Sequence, residues 1–150
     1  IAQALIGQPS LIIVDEPTAG LDPEERNRFL NLLAEIGENV VVILSTHIVE
    51  DVADLCPSMA IIASGRIVKI GAPLQLIASM NGHVWRKTIA RDELGAHQRD
   101  HEVIATRLFG GRTVIHVLAD ANPGDGFEPM QGGLEDVYFS TLAGTRRQAA

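Results

Sequence analysis

The sequence predicts an α/β fold, a parallel aliphatic sheet with flanking helices, extended by a small C-terminal α+β module. Three observations predict it. Two unbroken apolar runs, residues 11–14 and 40–44, have the length and branched aliphatic content of strands buried on both faces. Between them lies a segment with helix-start signals and apolar residues at helical spacing, which gives the strand–helix–strand alternation of a parallel sheet. Beyond Asn81-Gly82 the long apolar runs give way to alternation, so residues 1–80 and 82–144 read as different modules and 145–150 as a tail.

Composition narrows the class. Apolar residues make up 46% of the 150 and aromatics only 4%, so the core is aliphatic. Twelve basic against nineteen acidic residues give a net charge of -7, which argues against a general nucleic-acid surface. Cys56 is the only cysteine; no internal disulfide can form, and a reducing compartment is the natural reading. No apolar run approaches the roughly 18 residues of a membrane-spanning helix, and no signal peptide is visible. Membrane contact would come through a partner.

Each element has local reasons. Residues 1–6 suit the tail of a helix stopped by Gly7 and Pro9. The strand at 11–14 delivers Asp15 and Glu16 to its carboxyl end, where open α/β sheets place their ligands. Asp22-Pro23-Glu24-Glu25 then reads as a helix start, with an Asp cap, Pro at the first position and Glu at the third. Phe29, Leu32, Leu33 and Ile36 give that helix a face for the sheet, and Gly37 ends it. The second strand, 40–44, brings Ser45-Thr46-His47 beside the acids. Ile48, Val52 and Leu55 mark a short helix stopped by Pro57. Residues 59–63 and 66–70 form a hairpin about Ser64-Gly65, and Gly71-Ala72-Pro73 opens another short helix to about Met80. In the second module, 83–90 reads as a strand, 91–99 as a helix, and 103–109 with 113–118 as a hairpin turned at Gly110-Gly111. Residues 121–133 read as a loop, 134–142 as an amphipathic helix and 144–150 as frayed.

The run L-I-I-V-D-E-P-T-A-G-L-D-P at residues 11–23 resembles the Walker B strand and D-loop of ABC-type ATPases, a branch of the P-loop NTPases. Ser45-Thr46-His47 resembles the same family's switch histidine. The resemblance implies ATP and Mg2+ as cofactors. Asp15 would bind the magnesium, commonly through water, as a hard oxygen donor suits that ion. Glu16 would be the general base or orienting group for the attacking water, and His47 would meet the γ-phosphate or hold that water. Asp22, besides capping its helix, would lie at a dimer interface and face the partner's nucleotide. His83, His97, His101 and His116 share no metal-ligand spacing with cysteine and read as structural.

No G-x-x-x-x-G-K-[ST] phosphate loop occurs in the chain, and no L-S-G-G-Q-like signature precedes the first strand. The chain therefore reads as the C-terminal portion of a longer ATPase, inactive alone. Leu134-Glu135-Asp136-Val137-Tyr138-Phe139 resembles the ending of ATP-binding subunits of exporters of drugs, antibiotics and polysaccharides. Pro57-Ser58 departs from the family, which more often has Asp-Arg there. The implied partners are a second ATP-binding subunit, as a homodimer, and transmembrane permease subunits, with no nucleic acid. The implied location is cytoplasmic, on the inner face of the membrane. Two other classes compete: a soluble ABC-type ATPase acting on DNA or ribosomes, and a noncatalytic dimerisation or regulatory module at 82–144.

Overall fold

The computed structural model describes residues 7–148, with side chains to residue 145. The helix tail expected at residues 1–6 lies outside the described residues. The chain forms two compact units that part between Cys56 and Pro57.

In the first unit, β1 (Leu11–Asp15) and β2 (Val41–Ser45) pair in parallel, in register from Leu11 opposite Val41 to Asp15 opposite Ser45. Helix α1 (Pro23–Gly37) connects them. It starts where expected, with Asp22 as cap, and its last residue is Gly37. Its inward side carries Phe29, Leu30, Leu33 and Ile36, with Leu33 fully buried. Leu32, expected on that face, is exposed. One residue turns a helix by about 100°, so a stripe centred on Leu33 takes in Leu30 and leaves Leu32 outside. A short helix, α2 (Val49–Leu55), follows β2. Ile12 is buried on the inner face of the strand pair. On the opposite face Leu11, Ile13, Val41 and Ile43 are 46%, 68%, 63% and 50% exposed, a contiguous apolar surface on a sheet of the kind ordinarily covered on both sides.

The second unit opens with the hairpin of β3 (Met59–Ala63) and β4 (Arg66–Gly71). Its turn residues Ser64 and Gly65 have φ of +50° and +73°, the paired left-handed conformation that a two-residue hairpin requires. After α3 (Pro73–Ala78) comes an antiparallel sheet of β5 (Val84–Ile89), β6 (Glu102–Phe109), β7 (Arg112–Leu118) and β8 (Glu128–Pro129), in the order β6-β7-β5-β8. The 3-10 turn Arg91–Glu93 leads into α4 (Leu94–Asp100). Ile89, Ile115, Val117 and Phe127 form the core on one face, ringed by Trp85, Leu94, Val103 and Ala119. Helix α5 (Leu134–Gln148) packs on β6, α3 and β4. These contacts draw the β3–β4 hairpin into the second unit, although composition changes only at Asn81-Gly82.

Two further expectations are corrected. The segment 121–133 is not all loop, because Trp85 and Arg86 pair with Pro129 and Glu128 to add a two-residue edge strand. Nor does the chain fray at Gly144, since α5 runs to Gln148. The motif at 134–139 docks this helix: Leu134 and Val137 are buried, Glu135 pairs with Arg107, and buried Asp136 meets His116 at 2.7 Å. Among the described residues no helix is long and apolar enough to cross a membrane.

Candidate functional site

The register of β1 and β2 ends with Asp15 opposite Ser45, so the acids and the Ser-Thr-His triplet leave the sheet side by side. Ser45 Oγ donates to Asp15 Oδ1 and lies 3.4 Å from the Val14 carbonyl oxygen. The chain then reverses at Glu16, whose φ is +45° and whose N–H donates to the Ser45 carbonyl at 2.8 Å. A left-handed conformation costs a side-chain-bearing residue about 1–2 kcal/mol. Here it parts two adjacent acids: Asp15 turns to Ser45 and Glu16 to His47, with Glu16 Oε2 2.6 Å from His47 Nδ1. His47 is exposed and Glu16 partly so. Beyond it, the Thr46 hydroxyl accepts the Ile48 N–H at 3.0 Å and fixes the bend into α2.

Of the four residues expected here, the structure brings together Asp15, Glu16 and His47. Asp22 sits at the start of α1, where its carboxylate accepts the Glu25 N–H at 2.8 Å; no described hydrogen bond joins it to the other three.

A second cluster escaped the sequence reading. Asp51, on α2, is 1% exposed, and its Oδ2 accepts the hydroxyl of buried Thr18 at 2.6 Å. Its Oδ1 accepts Arg26 Nε at 2.7 Å and lies 2.6 Å from a terminal nitrogen of the same guanidinium. One signal existed. Asp51 falls three residues after Ile48 and four before Leu55, an acid on the inward stripe of a helix. Nearby, burial pushes the half-buried Cys56 thiol pKa up, and the Asp51 charge adds to it.

No family model matches the chain. Aligned over 152 residues it is 34% identical to Nod factor export ATP-binding protein I of Burkholderia orbicola (strain AU 1054), covering 93% of this chain and 49% of that protein. The chain belongs with the ABC transporter ATP-binding proteins. Linearmycin resistance ATP-binding protein LnrL of Bacillus subtilis (strain 168) is 37% identical over 83 residues, 55% of this chain and 27% of that protein. Among solved structures, cbiO1 of Clostridium perfringens, part of the ABC transporter complex cbiONQ, is 33% identical over 51% of this chain and 32% of its own, with a TM-score of 0.48. The chain spans half or less of the length of the curated relatives it matches.

For an ABC ATP-binding protein the group to test against these residues is magnesium with ATP. The donors are hard: the exposed Asp15 carboxylate, whose second oxygen accepts no described hydrogen bond, and the Ser45 hydroxyl beside it. No set of three or more His, Cys, Asp or Glu among the described residues would enclose a metal unaided. The Asp15 carboxylate and Ser45 hydroxyl suit Mg2+, which is held by one or two carboxylates and completes its shell with water and phosphate oxygens. The residues present fit the group.

Proposed function

We propose that this chain is the C-terminal part of the ATP-hydrolysing subunit of an ABC-type exporter, working as a homodimer with separate permease subunits on the cytoplasmic face of a membrane. The observation that carries the reading is the 2.6 Å contact between Glu16 and His47 at the ends of adjacent parallel strands, with Asp15 one residue away. The names of its relatives, which speak of Nod factor export and linearmycin resistance, favour export. In this reading residues 1–80 belong to the ATPase and 82–144 to an accessory module.

When bound, Mg2+-ATP supplies the phosphoryl group and a leaving group whose charge the metal offsets. The residues of this chain hold and orient. Asp15, which accepts the Ser45 hydroxyl on one oxygen, would hold the metal through its other oxygen. Glu16 has Oε2 engaged by His47 and leaves Oε1 to accept a proton from an attacking water. His47, donating from Nδ1 to Glu16, keeps Nε2 on the far side of the ring; doubly protonated, it donates from there to an anionic oxygen. Asp22 caps α1 and faces the partner's nucleotide across the dimer. The phosphate loop and the signature motif are supplied by sequence other than this chain, so the chain alone is inactive.

Calorimetry of Mg-ATP with this chain and with the full-length protein, each beside Glu16→Gln, tests the reading. Binding and turnover are expected only in the full-length protein, with Glu16→Gln keeping binding and losing turnover. Tight binding by this chain alone overturns the division of the nucleotide site.

A further inference from the structure

We infer that Asp51 is a positioning residue for hydrolysis: through Thr18 and Arg26 it holds the turn that aims Glu16 at His47, while touching neither. The inference rests on the proposed role of Glu16.

Glu16 is in a left-handed conformation, which survives in a residue with a side chain only where its surroundings over-determine it. The turn is fixed at three points. Its N–H is held by Ser45, its carbonyl accepts the Ala19 N–H at 3.2 Å, and two residues on, Thr18 is buried and donates to Asp51 at 2.6 Å. The first two bonds join backbone to backbone, and the third depends on side chains alone. Asp51 stands four residues after His47, on the helix that the Thr46 hydroxyl bends away from β2. One carboxylate thus ties the turn after Glu16 to the helix after His47. Arg26, on the first turns of α1, occupies its other oxygen and keeps the buried charge paired. With both oxygens occupied and 1% exposure, Asp51 cannot meet substrate; its effect must pass through geometry. Catalysis is sensitive to that geometry, since a displacement of about 1 Å in a reacting group can cost roughly a hundredfold in rate.

The test uses Mg-ATP turnover by the full-length protein. Thr18→Val removes the hydroxyl at nearly constant volume, and Thr18→Ser keeps it. Thr18→Val is expected to lower kcat about ten- to hundredfold with KM for ATP changed less than about threefold, and Thr18→Ser to restore most of the rate. Combined with Glu16→Gln, Thr18→Val is expected to remove no further activity, because it acts through Glu16. Parental turnover in Thr18→Val, or a rate loss that multiplies in full with that of Glu16→Gln, overturns the inference and leaves the role of Glu16 intact. Parental turnover in Glu16→Gln overturns both. Should Thr18→Val unfold, Thr18→Ala decides, because it also removes the hydroxyl that Asp51 accepts. A folded Thr18→Ala with unchanged kcat also overturns the inference.

Discussion

Single residues in each unit carry electrostatic consequences that can be read directly. Burial raises the pKa of Asp136, but the hydrogen bonds from His116 and the Gly133 N–H, with the charges of His116 and Arg107, outweigh it and hold the carboxyl below its usual range. A carboxyl that ionises more readily when folded contributes stability in full above its unfolded value, about 3.9, and loses it as pH falls through the lower folded value. Asp136→Asn should therefore cost about 1–3 kcal/mol near neutral pH, with the deficit shrinking below pH about 4. Trp85, the one tryptophan, lies in β5 of the same unit and donates to the Ala119 carbonyl, so its fluorescence in urea titrations reports this difference. Cys56 makes the complementary case: with its pKa raised and its side chain half-buried, it should react with iodoacetamide at pH 8 more slowly than a free thiol. A rate equal to that of free cysteine would contradict the burial.

At the scale of elements, the Asp22 cap sets where α1 begins. Asp22→Ala should cost about 1 kcal/mol in far-UV circular dichroism melts, and Asp22→Asn much less. What was legible at this scale follows from how each element is specified. The parallel strands and α1 announce themselves because unbroken aliphatic runs and capping leave dense local signals. Strand β8 does not, since two residues have no period, and Pro129 cannot donate to a ladder and reads as a breaker. Helix α5 outlasts its expected end because Gly144 lowers helix propensity without forbidding helix, and contacts elsewhere on α5 decide. In the site, Asp15, Glu16 and His47 were readable because each sits at the end of a strand with an obvious pattern. The Thr18–Asp51 bond joins segments 33 residues apart, and only the fold reveals that an acid on an apolar stripe has found a hydroxyl and a guanidinium.

For the whole molecule, the uncovered face of Leu11, Ile13, Val41 and Ile43 is the dominant feature, since apolar burial is worth about 25 cal/mol per Å2 and a parallel sheet seldom forgoes it. The chain by itself should self-associate, giving a light-scattering mass above that of a monomer, and Ile13→Lys with Val41→Lys should reduce that mass. A monodisperse unmodified monomer would count against this expectation. The left-handed turn at Glu16 has another consequence, one for the history of the sequence. Glycine adopts that conformation without steric conflict, so Glu16→Gly should raise the melting free energy of the first unit by up to about 1 kcal/mol while removing the carboxylate that meets His47. Random substitution filtered for folding alone would let position 16 drift toward glycine or asparagine. Given the proposed role of Glu16, a library screened separately for thermal survival and for turnover should pull this one codon in opposite directions.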